Sequence, residues 1–160
     1  MTDFEALLGA LADAEVEFIV VGGLAAIAHG SARLTQDIDV VYARNGDNLE
    51  KLGQALAPYQ PYLRGAPPGL PFKWDASTID HGLNFTLETT LGDIDLLGEI
   101  TGGGRYEDLA AHTVELSLFR REVLCLDLAK LIETKRAAGR PKDLEAIAEL
   151  EALRESLSED

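Results

Sequence analysis

Two aspartates separated by one residue are the feature of this sequence that most directly suggests chemistry. Asp37 and Asp39 lie in the segment Asp-Ile-Asp-Val-Val-Tyr, which is typical of a β-strand. Side chains two residues apart on a strand point to the same face, and their Cα atoms lie about 6.5–7 Å apart. Carboxylates at this spacing can share one divalent cation, or bind two cations about 3.5–4 Å apart. Without water, cations or donors, two charges on one face would be costly.

A glycine pair precedes this predicted strand. Gly22 and Gly23 follow residues 18–21, a continuous apolar run that predicts a buried strand, and residues 24–29 favour a short helix. Exposed backbone N–H groups at the start of a helix are favourable for binding phosphate. The sequence therefore predicts a phosphate site one strand away from a candidate metal site.

A second pair of alternating aspartates lies further along the chain. Asp93 and Asp95 fall in residues 91–97, which predict another strand, and they also share one face. Asp95 lies between two apolar residues, whereas Asp93 follows Gly92 at the start of the strand, where water can solvate it. Asp95 is therefore the stronger candidate for a third metal-binding carboxylate, and Asp93 is the alternate.

The order of these features resembles the signature of the nucleotidyltransferase superfamily with the DNA polymerase beta-like fold. The resemblance covers residues 18–97, from the strand before the glycine pair to the third acidic strand. More weakly, residues 130–145 resemble the C-terminal helices of small prokaryotic members, among them the AbiEii-type toxins and the minimal nucleotidyltransferases. The resemblance implies an α+β fold, with a small mixed β-sheet flanked by helices.

The resemblance also implies an activity. Asp37 and Asp39 would bind the ions that carry a nucleoside triphosphate such as ATP, and Asp95 would complete a second ion site and help to activate the attacking hydroxyl. The expected cofactor is Mg²⁺, with Mn²⁺ as a substitute. The reaction would transfer a nucleoside monophosphate and release pyrophosphate. The acceptor stays open between RNA, a protein and a small hydroxylated molecule, and a role in a toxin–antitoxin system is conceivable.

Basic and hydroxyl side chains near these motifs are candidates for binding the nucleotide. Arg33 and Thr35 precede the Asp37 strand, where they could neutralise phosphate oxygens and donate a hydrogen bond. Lys130 and Lys135 are five residues apart on a predicted helix, so only one is expected to reach the site. The family resemblance favours Lys135. A plain surface position remains the alternative for each of these side chains.

The chain of 160 residues fits one domain, predicted over residues 1–160, with a core at about 18–126 and C-terminal helices at about 127–156. Residues 59–75 are rich in proline and predict a loop, which is either a mobile flap near the site or a surface loop.

Local signals also predict where helices begin and end. Residues 2–5 and 47–50 match the capping-box pattern that starts a helix. Asp127 and Gly139 are expected to bound a later helix.

The net charge of −14 is concentrated at the two ends of the chain. Residues 1–17 carry −5 and residues 143–160 carry −6, whereas residues 120–142 carry +4. This balance excludes a typical autonomous nucleic-acid-binding protein, which is strongly basic. No apolar run approaches the ~18 residues that span a bilayer, and no signal sequence opens the chain, so a cytoplasmic protein without a membrane segment is expected.

A different class of function fits the same scaffold. The chain is small, its ends are acidic, and no acceptor-binding domain is recognisable. A non-catalytic module, antitoxin-like or regulatory, could use its acidic surface to engage a basic partner protein.

Overall fold

A computed structural model describes residues 2–158 of the chain. The strands are β1 Phe18–Val21, β2 Asp37–Tyr42, β3 Tyr62–Leu63, β4 Asn84–Thr89, β5 Gly92–Leu97, β6 Glu99–Ile100, β7 Gly104–Arg105, β8 Thr113–Leu118 and β9 Arg121–Leu126. The α-helices are α1 Phe4–Asp13, α2 Gly22–Ala28, α3 Gly46–Leu56, α4 Ala76–His81, α5 Tyr106–Leu109, α6 Leu128–Ala138 and α7 Pro141–Ser158. Short 3₁₀ segments cover Ala57–Tyr59 and Ala110–His112.

A seven-stranded mixed sheet with the order β3-β4-β5-β2-β1-β9-β8 forms the centre of the fold. Strands β2 and β5 are parallel, as are β1 and β9, and the other neighbouring pairs are antiparallel. The prediction of a small mixed sheet flanked by helices is confirmed. Strands β6 and β7 form a separate two-stranded hairpin.

The alternation of side chains in the central strands separates the core from the candidate site. Ile38 and Val40 in β2 are fully buried, as are Ile94 and Leu96 in β5. Burial of each such side chain stabilises the fold by about 1.5–3 kcal/mol. The alternate positions of both strands, which carry the aspartates, are only partly buried. The core thus fixes which face carries the carboxylates.

The first and third helices begin with different capping residues from those predicted. Asp3 caps α1 by accepting a hydrogen bond from the Ala6 N–H at 3.0 Å, and the Thr2 hydroxyl donates instead to the Gln36 carbonyl. Asn45 caps α3 by accepting from the Asn48 N–H at 2.9 Å. Both predicted capping boxes are therefore wrong, and at α1 the tertiary contact of Thr2 explains why Asp3 is the cap.

The C-terminal helices follow their predicted boundaries. Asp127 accepts a hydrogen bond from the Lys130 N–H at 2.7 Å, and Gly139 ends α6 in the left-handed conformation with φ +67°. Helix α7 follows directly and packs on α6. The predicted domain limits at residues 1 and 160 lie outside the described residues. In the part of the chain that is described, no helix is long and apolar enough to cross a membrane.

The proline-rich segment is more ordered than the predicted loop. It contains β3, which pairs with β4 at the edge of the sheet. A chain of aromatic contacts packs the segment on the sheet: the ring centroids of Tyr62 and Phe72 are 6.1 Å apart, those of Phe72 and Trp74 are 6.3 Å apart, and those of Trp74 and Phe85 are 5.5 Å apart. Most of the segment is a loop, as predicted, but one short strand and its aromatic contacts hold it against the sheet.

Candidate active site

The register of the two parallel strands brings the predicted aspartates together. Asp37 pairs with Asp93 across β2 and β5, and Asp39 pairs with Asp95. One carboxylate oxygen from each of Asp37, Asp39 and Asp95 lies within 4.8 Å of the others. Asp93 shares the face but lies outside this group. We call these three residues the carboxylate triad.

The triad has the electrostatics of a site that needs a cation. Burial, together with the charges of Asp37 and Asp95, raises the pKa of Asp39 to about 8. Burial and the nearby Asp95 also raise the pKa of Asp37, although Arg64 opposes the shift. Asp39 Oδ1 is buried and has no hydrogen-bond partner among the described residues. An orphaned carboxylate oxygen among like charges fits a divalent cation with oxygen ligands.

Close approach explains why glycines precede the triad. A Cβ on Gly22 would lie 2.2 Å from Asp39 Oδ2, and the φ of Gly22 is +65°, in the left-handed region. A Cβ on Gly23 would lie 2.8 Å from the Thr35 hydroxyl oxygen. Helix α2 therefore begins two residues earlier than predicted, and no side chain caps it. The glycine pair lets the start of α2 pack directly against Asp39.

Replacing Gly22 with alanine is expected to destabilise the fold. The left-handed backbone costs a non-glycine residue about 1–2 kcal/mol, and the contact with Asp39 adds to this cost. Urea unfolding in the absence of metal measures the change. Gly46→Ala is the matched control, because a Cβ at this helical position meets nothing within 4 Å. Equal stabilities of the two variants would contradict the close approach of Gly22 to Asp39.

Two cavities meet at Asp39. The smaller, of about 250 Å³, is lined by the glycine pair, the triad and several polar or basic side chains: Ser31, Arg33, Thr35, Lys135, Arg140 and Lys142. The larger, a cleft of about 440 Å³, also contacts Lys135 and Arg140 and extends past Asn84 and Glu99. We call them the basic cavity and the wide cleft. Asp143 and Glu149 also line the basic cavity, and the two cavities share Asp39, Lys135 and Arg140 in their linings.

Arg33 and Thr35, the nucleotide-binding candidates that precede β2, line the basic cavity, but both already have partners within the chain. Arg33 forms ion pairs with Glu145 at 3.8 Å and with Glu149 at 3.9 Å. The Thr35 hydroxyl donates to the carbonyl of Asp37 at 3.2 Å. An anion entering the cavity would compete with the two glutamates of α7 for Arg33.

The structure separates the two candidate lysines. Lys135 lines both cavities, and its pKa is lowered by burial although Asp143 and Asp39 raise it. Lys130 forms an ion pair with Glu133, 3.4 Å away on the same helix. Lys135 is therefore the one that lies beside the triad.

Two arginines at the site, Arg64 and Arg140, were not predicted from the sequence. Arg140 lines both cavities and binds Asp143, with Nε 2.7 Å from Oδ2. Arg64 lies 3.0 Å from Asp95. Arg64 follows β3 in the proline-rich segment, and only the pairing of that short strand with β4 brings it to the triad. Its sequence signal was weak: a basic residue two positions after Tyr62, in a segment without a clear strand pattern.

Comparisons with known proteins support the fold. No protein-family model matches the sequence, and no curated protein matches it. The lincosamide antibiotic adenylyltransferase LnuA, solved with lincomycin bound, superposes with a TM-score of 0.62 at 16% identity, covering 96% of this chain and 98% of that chain. ANT(2″)-Ia in complex with adenylyl-2″-tobramycin superposes with a TM-score of 0.54 at 16% identity, covering 96% and 94% of the two chains.

A third likeness comes from an inferred nucleotidyltransferase of Thermotoga maritima. Its TM-score is 0.51 at 15% identity, covering 96% of this chain and 89% of that chain. The sequence identities are low, so these likenesses concern the architecture. The chain has the fold of these nucleotidyltransferases over nearly its whole length.

Proposed function

We propose that the protein is a divalent-metal-dependent nucleotidyltransferase that transfers a nucleoside monophosphate to a hydroxyl group of a small molecule. The observation that carries this proposal is the carboxylate triad with its unpartnered Asp39 oxygen, at the point where the basic cavity and the wide cleft meet. Structural similarity to adenylyltransferases supports it.

Asp37, Asp39 and Asp95 are the residues that would bind Mg²⁺, or Mn²⁺ in its place, because their oxygens are hard ligands within 4.8 Å of one another. The bound cation would offset the charge of the triphosphate and stabilise the in-line displacement at phosphorus. The pKa of Asp39, about 8 without metal, means that binding must displace a proton near neutral pH.

The other residues of the site act on the substrates. Lys135 and Arg140 face the basic cavity, where they would hold the phosphates together with the backbone of Gly22 and Gly23. Asp95 would accept the proton of the attacking hydroxyl. The acceptor oxygen forms a bond to the α-phosphorus, the bond from that phosphorus to the bridging oxygen breaks, and pyrophosphate leaves.

The wide cleft favours a small acceptor over RNA. Its volume of about 440 Å³ suits a molecule of drug size, and Asn84, Glu99 and Thr101 line it with polar groups that can bind hydroxyl or amine substituents. The net charge of −14 disfavours a polyanionic acceptor. The solved relatives were crystallised with lincomycin and with an adenylyl-tobramycin, which are small hydroxylated molecules.

Release of pyrophosphate tests the proposal. The protein is incubated with each nucleoside triphosphate, Mg²⁺ or Mn²⁺, and a panel of lincosamides, aminoglycosides, nucleosides and sugars, with total RNA as a separate arm. Acceptor-dependent release that disappears in Asp37→Asn would support the enzyme. Release with RNA alone would reassign the acceptor, and no release with any donor would count against the activity.

Calorimetry distinguishes the non-catalytic alternative. A regulatory module would retain a partner protein while binding neither Mg²⁺ nor nucleotide, whereas the enzyme is expected to bind nucleotide only with the metal present. A toxin–antitoxin role, ATP as the donor, the kinship with AbiEii-type toxins and a cytoplasmic location stay predictions from the sequence.

A further inference from the structure

Arg64 places a fixed positive charge inside the acidic site. Its guanidinium Nη1 lies 3.0 Å from Asp95 Oδ1 and 3.9 Å from Asp37 Oδ2. Its Nε lies 3.5 Å from Asp93 Oδ2. One side chain therefore contacts two members of the triad and the neighbouring acid on the same sheet face.

The edge of the sheet holds Arg64 in this position. Its backbone N–H donates to the carbonyl of Thr86 at 3.0 Å, and its Nη2 donates to the carbonyl of Leu87 at 2.7 Å. Thr86 pairs with Asp95 across β4 and β5, and Asp95 pairs with Asp39 across β5 and β2. The arginine thus lies in the same cross-strand row as two triad members, with its side chain extending along the row to Asp95. Its side chain is only 26% exposed.

The partners of the carboxylate oxygens differ along this row. Asp39 Oδ1 and Asp95 Oδ1 are both buried without a hydrogen-bond partner among the described residues, but Asp95 Oδ1 has the Arg64 guanidinium at 3.0 Å as an ion-pair partner. Arg64 therefore offsets part of the charge of Asp95, whereas Asp39 has no ion pair among the described residues. In charge, Arg64 and one divalent ion together balance the three ionised carboxylates. A second divalent ion beside Asp95 would have to displace the guanidinium or lie against it.

We propose that Arg64 takes the place of a second metal ion, so that the nucleotide-free site binds one divalent cation through Asp37 and Asp39 while Arg64 neutralises Asp95. This inference rests on the proposed function, because it takes the carboxylate triad to be a metal site. It goes further in stating how many divalent cations the site binds and that Arg64 determines this number.

Counting bound Mn²⁺ by electron paramagnetic resonance tests the inference, with Mn²⁺ alone as the probe and the pH above the pKa of Asp39, about 8. The wild type is expected to bind one Mn²⁺ per chain. Arg64→Gln is expected to bind two, and to bind the first about tenfold more tightly, because a like charge has been removed from the site. Arg64→Lys, which keeps the charge, is expected to bind one.

Arg121→Gln is the matched control. Arg121 also forms an ion pair with an aspartate, Asp13, at 2.9 Å. It is the first residue of β9 and lies near the opposite ends of the strands from the triad. This variant is expected to bind one Mn²⁺ like the wild type. Two ions on the wild type would overturn the inference, whether or not Arg64→Gln folds, and so would one ion on a folded Arg64→Gln.

The pyrophosphate assay keeps this outcome separate from the proposed function. Two ions on a wild type that releases pyrophosphate would leave the activity intact and overturn only the role of Arg64. One ion on the wild type and two on Arg64→Gln, without transfer to any acceptor, would support the role of Arg64 and count against the activity. No bound Mn²⁺ on any variant would overturn both.

Discussion

Replacing Asp39 with asparagine is expected to abolish nucleotidyl transfer and, without metal, to raise the free energy of unfolding. Asp39 lines both cavities, carries a buried oxygen without a hydrogen-bond partner, and has no ion pair among the described residues. Charge stabilisation by a bound metal contributes several kcal/mol to such a reaction, so we expect a loss of about 10³-fold or more in kcat/KM. A loss of kcat/KM together with a higher free energy of unfolding is expected where a buried carboxylate destabilises the metal-free fold but is needed to bind the metal.

The stability gain should depend on pH. Burial, with the charges of Asp37 and Asp95, raises the pKa of Asp39 to about 8 in the folded protein, from an ordinary value of 3.8. Between these values the folded state holds a proton that the unfolded chain releases. The wild type is therefore most stable below pH 3.8 in this respect, and this contribution falls as the pH rises towards 8. The slope approaches about 1.4 kcal/mol per pH unit for one proton.

Urea unfolding with a chelator, at several pH values between 5 and 9, measures this difference. The gap between Asp39→Asn and the wild type is expected to widen with pH and to level off above the pKa of about 8. Asp47→Asn, at an exposed helical position, keeps Asp39 and should retain the wild-type pH dependence. A wild type that gains stability relative to Asp39→Asn as the pH rises would contradict the raised pKa.

The parts of the site that could be predicted from the sequence depend on short-range rules. The spacing of Asp37 and Asp39 fixes their common face once β2 forms, and the same holds for Asp93 and Asp95 in β5. The glycine pair likewise marks the local turn from β1 into α2, where Gly22 has a φ of +65°. These relations are contained in a few residues each, and the structure agrees with the predicted faces.

The parts that could not be predicted depend on pairing between distant segments. Arg64 reaches the triad because the two-residue strand β3 pairs with β4, a strand more than twenty positions away along the chain. A two-residue strand has no periodicity to detect, and the surrounding prolines favour a loop. The same limit affected the start of α1, where the Thr2 hydroxyl bonds to Gln36 and leaves Asp3 as the cap. Local propensity gave candidates, and tertiary contacts selected among them.

Asp95→Asn and Asp93→Asn are expected to differ sharply in activity although both residues contact Arg64. The Asp95 side chain is 22% exposed and belongs to the triad, whereas the Asp93 side chain is 42% exposed and lies outside it. If Asp95 accepts the hydroxyl proton as we propose, its loss should lower kcat by about 10²–10⁴-fold. Asp93→Asn should be nearly neutral, because water solvates that carboxylate and its interaction with Arg64 is long.

Binding and stability measurements show why the Asp95 variant fails. Nucleotide binding through Asp37 and Asp39 should be partly retained in Asp95→Asn, so kcat should fall more than the affinity for nucleotide, as measured by calorimetry with Mg²⁺. The arrangement of Arg64 also changes the expected stability. Because Asp95 is paired with Arg64 at 3.0 Å, its removal relieves repulsion but also breaks this ion pair, so the gain in metal-free stability should be smaller than that of Asp39→Asn. Equal losses of kcat in Asp95→Asn and Asp93→Asn would show that the two acids share the role, and a loss confined to Asp93→Asn would transfer it to Asp93.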